Sequence, residues 1–92
     1  MAPEKITGTT KSGFAFELDP DVFDDWDTVA LLGDVQSGSP TAIIQFTVRV
    51  LGDAQTENLK NHVRVDSGRV PFSRMSDEIL EIFKAYTASK NS

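Results

Sequence analysis

The clearest alternation of apolar and polar residues is Phe14-Ala15-Phe16-Glu17-Leu18, which puts Phe14, Phe16 and Leu18 on one face of a strand. A Thr-rich run, Ile6 to Thr10, precedes it across Lys11-Ser12-Gly13, and the pair predicts a β-hairpin. A lone hairpin is marginal, so its apolar face must lie on other elements. The pattern then changes to a helical period. Asp19 and Pro20 suit the N-cap and first position of a helix that ends near Gly33 to Gln36. Its predicted stripe is Val22, Trp26, Val29 and Gly33, with Phe23 and Ala30 beside it. Ser39 and Pro40 repeat the cap signal after a Ser-Gly turn.

Thr41 to Leu51 fits two periods. Ile44, Phe46, Val48 and Val50 alternate as in a strand, whereas Ile43, Phe46, Val50 and Leu51 share a helical face. The Ser-Pro start and Gly52 stop tilt the balance slightly towards helix. Asp53 can cap a further short helix, in which Leu59 and Val63 are i,i+4 partners and Glu57, Lys60, Asn61 and Arg64 face water. Asp66 to Arg69 is a turn, and Pro71 keeps Val70 extended. Ser73 or Ser76 is the expected cap of a last helix with Met75, Ile79, Ile82, Phe83 and Tyr86 on one stripe. Ala88 to Ser92 is a polar tail, expected to fray over 89–92. The expected fold is mainly α (α+β): a hairpin over about 4–19, then about four short helices over 20–88, in one small domain spanning 1–92.

Composition narrows the function. Ninety-two residues fill one domain and bury only roughly 60–65% of the unfolded surface, which leaves little room for a walled cleft. There is no cysteine, so disulfide scaffolds, zinc ribbons, iron–sulfur clusters and thiol nucleophiles fall away. The net charge of −5 argues against a nucleic-acid footprint and against an anionic membrane surface. Met1 to Lys5 lacks a signal-peptide profile, and the apolar stretch at 41–51 is too short to span a bilayer. A soluble intracellular protein is expected. Charge is uneven: Ser12 to Val48 holds seven acids and no Lys or Arg, and the remainder is mildly basic. Such asymmetry can pair copies head to tail, although acids on solvated helix faces explain it more simply.

No constellation carries chemistry. His62 is the only histidine, too few for a nucleophilic triad or a histidine metal cluster, and a surface or helix-end role suits it better. An EF-hand loop starting at Asp19 fails, with Phe23 at position 5, Asp24 at position 6 and Ala30 at position 12. Helix-start acids explain the Asp19 to Asp27 cluster better. Gly33 to Ser39 lacks the lysine of a phosphate loop. No catalytic, cofactor or metal residue is assigned, and an enzyme is not expected. Trp26, among Asp24, Asp25 and Asp27, has two readings: core, as its stripe implies, or an interface anchor.

Several short motifs recur in a familiar order. They are Gly13-Phe14-Ala15-Phe16-Glu17, an Asp-rich opening to a helix with an aromatic, and Leu51-Gly52-Asp53-Ala54-Gln55. Leu59-x-x-His62-x-Arg64, Asp66-x-Gly68-Arg69-Val70-Pro71, and Met75 before Ile79-Leu80-Glu81-Ile82-Phe83 follow. Over about 12–86 the chain resembles the small tail assembly chaperones of long-tailed bacteriophages and prophages. The resemblance implies a mainly helical, self-associating protein and tips 41–51 towards helix. It implies binding to the long hydrophobic tape-measure protein, which is kept soluble in the bacterial cytoplasm while tail tube subunits polymerise. It further implies absence from the mature virion and a longer form made by ribosomal frameshifting. No functional residue transfers with it. The candidates for partner contact, Phe14, Phe16, Trp26, Phe72 and Phe83, come from aromatic chemistry alone. The alternatives are an acidic phage protein that binds and inhibits a host factor, or a structural tail or connector subunit.

Overall fold

The computed structural model describes residues 5–91. The hairpin is β1 (Ile6–Thr9) and β2 (Ala15–Leu18), antiparallel, with Gly8 opposite Phe16. Thr10 N–H donates to the Phe14 carbonyl at the turn, and Gly13 takes the positive φ of 97° that the turn needs. Phe14, Phe16 and Leu18 are buried as the alternation predicts. Residue 4, the expected start of the hairpin, lies outside the described residues, as does Ser92. A Cβ on Gly8 would sit 2.8 Å from Phe16 Cζ, so the ring covers the glycine. Gly8→Ala is expected to cost about 1–3 kcal/mol by overpacking, read as a lower denaturation midpoint with an unchanged slope.

The first helical segment differs from expectation. Asp19 does cap, accepting from Asp21 N–H at 3.0 Å, but the chain makes only a 3-10 turn, Pro20–Phe23. Asp25 then caps afresh and starts α1 (Trp26–Gln36). The restart resets which residues face inward. Thr28 and Val35 are buried, Leu31 and Leu32 are half-buried, and Trp26 is 87% exposed with Val29 beside it at 57%. The Trp26–Val29 stripe therefore faces solvent, not the core. Thr28 can occupy a core position because Asp25 accepts from both its N–H and its hydroxyl.

Ser39 and Pro40 open α2 (Pro40–Val63), with Ala42 N–H donating to Ser39 Oγ, and 41–51 is helical. Three helices follow the hairpin, not four, because the two expected either side of Gly52 run together as one bent helix. Gly52 sits at φ 80°, ψ 167°, a conformation open essentially to glycine alone. The bend has a packing cause. Ala42, Phe46, Val50 and Leu51 are buried before it, and Thr56, Leu59 and Val63 after it. On a straight helix these two sets would lie about half a turn apart, on opposite sides. The break lets both reach one core. Gln55 fastens the bend to the hairpin: its carboxamide accepts from Glu17 N–H at 2.8 Å and donates to the Glu17 carbonyl at 2.7 Å and the Leu51 carbonyl at 2.9 Å. The outer edge of β2 is thereby paired.

The turn at 65–69 closes through Val65 N–H to the Arg69 carbonyl, and Arg64 donates to the Gly68 carbonyl at 2.7 Å. Helix α3 (Phe72–Asn91) starts earlier than expected. Ser73 and Ser76 lie inside it, and the Pro71 carbonyl accepts the first bond from Met75 N–H at 3.1 Å. Its stripe is as predicted, with Ile79 and Ile82 buried and Met75, Phe83 and Tyr86 packed against them. The helix runs as far as Asn91. The mainly helical class with an N-terminal hairpin holds, with about two thirds of the structure helical.

Candidate functional site

An apolar concavity lies along α2 beside the core. Ile44 and Val48, one turn apart, point away from the buried row Ala42, Phe46 and Val50 and are 57% and 38% exposed. Ile43 and Thr47 lie beside them. The opposite wall is Val70, Phe72 and Met75, brought there by the extended Val70-Pro71 segment and the first turn of α3. The bend at Gly52 swings the second arm of α2 across one end, adding Asp53, Thr56, Glu57 and Lys60. The resulting groove is open to solvent and has a volume of about 530 Å³.

Its polar groups are few. Thr47 donates its hydroxyl to the Ile43 carbonyl at 2.8 Å. Thr87 makes the same bond to Phe83. Thr56 should bond the carbonyl four residues back. That residue is Gly52, whose backbone is not helical, and Thr56 Oγ1 is buried without a partner. At the rim, Lys60 Nζ lies 2.8 Å from Glu57 Oε2. The Lys60 hydrogen bond and charge hold the Glu57 carboxyl below its ordinary value. Asp53 has no ion-pair partner among the described residues.

A second exposed apolar surface is the Trp26–Val29 ridge, beside Asp24 and Asp25. The acids of this half serve as caps or face water. Asp19 and Asp25 cap, Glu17 lies 3.1 Å from Lys5, and Asp25 lies 3.5 Å from Arg49. Among the described residues no group of three or more His, Asp or Glu side chains is placed to hold a metal ion.

A third cluster is polar and joins the hairpin turn to the helices. Glu78 Oε1 accepts from Thr10 Oγ1 at 2.8 Å and from Ser12 Oγ at 2.9 Å, and Lys11 N–H donates to Glu81 at 2.7 Å. His62, exposed in the last turn of α2, has Nε2 3.0 Å from Ser12 Oγ. Ser12 Oγ also lies 3.1 Å from Thr10 Oγ1. The cluster acts as a fastening. Glu78→Ala is expected to cost about 1–3 kcal/mol by leaving the buried Thr10 hydroxyl without its acceptor, measured by urea unfolding.

The five aromatic candidates separate. Phe14 and Phe16 are core residues, at 7% and 5% exposure. Phe83 is half-buried in an aromatic cluster with Phe23, Phe46 and Tyr86. Trp26 and Phe72 are exposed, on different surfaces: Phe72 lines the groove and Trp26 forms the ridge. Ile43, Ile44, Val48 and Val70 are aliphatic, and a choice by aromatic type passes over them. The signal for the α2 residues is that Ile44 and Val48 form an i,i+4 apolar pair off the face used by Phe46 and Val50.

Comparison with known protein families, with characterised proteins and with solved structures gives no match. Among the described residues no helix is long and apolar enough to cross a membrane.

Proposed function

We propose that this chain is a phage tail assembly chaperone that binds the tape-measure protein and keeps it soluble during tail tube assembly. The observation that carries this reading is the solvent-open groove of Ile43, Ile44, Val48, Val70, Phe72 and Met75 on a small acidic domain. An apolar surface of this kind, left open by a folded domain, is what an apolar client requires. The net charge of −5 keeps the complex with such a client in solution. The chain acts by binding, without a cofactor, in the cytoplasm of the bacterial host, and leaves before the virion is complete. Self-association and a longer frameshifted form belong to the same proposal. The host-factor inhibitor is less favoured, because acids at Asp19 and Asp25 are spent as caps and do not form a regular array.

Co-expression tests the proposal. The parent phage's tape-measure protein should stay in the supernatant after high-speed sedimentation when this chain is present and pellet when it is absent. Equal pelleting in both cases contradicts the proposal.

A further inference from the structure

We infer that the groove between α2 and α3 takes an amphipathic helix with basic residues along one flank. This rests on the groove being the client site. The occupant's backbone is decided by the floor. Ile43, Ile44, Val48, Val70, Phe72 and Met75 offer side-chain surface and no strand edge. An extended peptide would bury N–H and C=O groups there without partners, whereas a helix satisfies its own. Helix-in-groove docking with apolar anchors at i, i+3, i+4 and i+7 fits such a surface.

The charge of the flank follows from the rim. Its charged groups are Asp53, Glu57 and Lys60, with Lys60 committed to Glu57 at 2.8 Å and Asp53 without an ion-pair partner among the described residues. The rim is therefore net negative and asks for Lys or Arg. The same sign disfavours a second copy as occupant. The Trp26–Val29 ridge, the exposed apolar surface of the acidic half, lies beside Asp24 and Asp25 and would bring acid against acid.

The test uses the full chain and three synthetic peptides of ~18 residues, a length of about five helical turns. One carries a leucine face flanked by lysines, one the same face flanked by glutamates, and one the lysines with serines replacing the leucines. Methyl resonances of Ile43, Ile44, Val48 and Val70 report binding. The lysine–leucine peptide should shift them and bind at least about tenfold more tightly than either control. Asp53→Lys with Glu57→Lys, both exposed positions, should reverse the preference between the two leucine peptides. Equal binding of those peptides overturns the inference, as does absence of binding or shifts centred on Trp26. Groove shifts that grow with protein concentration alone overturn it in favour of a second copy. The chaperone proposal fails separately. A bound lysine–leucine peptide with no effect on tape-measure solubility would sink that proposal and keep this inference, and the converse result would do the reverse.

Discussion

Phe46→Ala is expected to destabilise the fold by about 3–5 kcal/mol, whereas Trp26→Ala should stay within about 0.5 kcal/mol. Phe46 is 2% exposed on the inner face of α2. Its ring meets Phe23 edge-on at 6.4 Å and Phe83 edge-on at 6.1 Å. Phe23 stacks in turn on Tyr86 at 3.8 Å. One aromatic cluster thus joins the 3-10 turn, α2 and α3. Removing its centre takes away both burial and the ring contacts, and three elements cannot all move in to fill the space. Domains of this kind have about 5–15 kcal/mol of stability, so the loss is a large share. Trp26 is the larger side chain but is 87% exposed, and its truncation removes little from the core. Chemical denaturation of both variants checks the contrast. A Phe46→Ala cost below about 1 kcal/mol, or a Trp26→Ala cost above it, would contradict this account of the core.

The second large effect concerns binding. Ile44→Gln with Phe72→Gln is expected to lower capture of an apolar helical client at least about tenfold, with stability changed by no more than about 1 kcal/mol. Both residues are substantially exposed, at 57% and 43%, so the fold depends on them little. Both line the groove, on opposite walls. Glutamine keeps the length and the helix propensity while ending the apolar floor. Leu80→Gln is the control, since Leu80 is 45% exposed on α3 but lies outside the groove. Equal loss from the control would mean that general surface hydrophobicity, not this groove, does the binding. Affinity to an immobilised client segment, with circular dichroism of each variant, separates the outcomes.

Much of the architecture was legible from local chemistry. The hairpin followed from a period of two around a Ser-Gly turn, and α3 from an unbroken stripe. The Ser39-Pro40 cap was visible because cap and first-turn residues sit next to each other in sequence. Sequence pattern and structure part where a backbone break resets the helical phase. Asp25 is as good a cap as Asp19, and restarting there turns Thr28, Leu31, Leu32 and Val35 inward and Trp26 outward. Those four are spaced i, i+3, i+4 and i+7, so the correct stripe was present but competed with one containing the tryptophan. Gly52 breaks the helical geometry as the sequence implies, yet the helix resumes at once on another face.

The groove was less legible because it is assembled from three separated segments. Its α2 wall, Ile44 and Val48, could be found as apolar residues off the core face. Its other wall depends on where α3 begins. Pro71, not a serine cap, sets that point and brings Phe72 and Met75 opposite Ile44. Aromatic type alone selected five positions, and burial took Phe14 and Phe16 into the core.

The most direct measurement is capture of the tagged chain from bacteria producing the parent phage, with mass spectrometry of whatever comes down, beside the Ile44→Gln and Phe72→Gln variant. The account predicts one dominant partner, the large helical tape-measure protein, captured by the native chain and lost with the variant. A host protein as the dominant partner, with no tail component and no dependence on the groove, would contradict it.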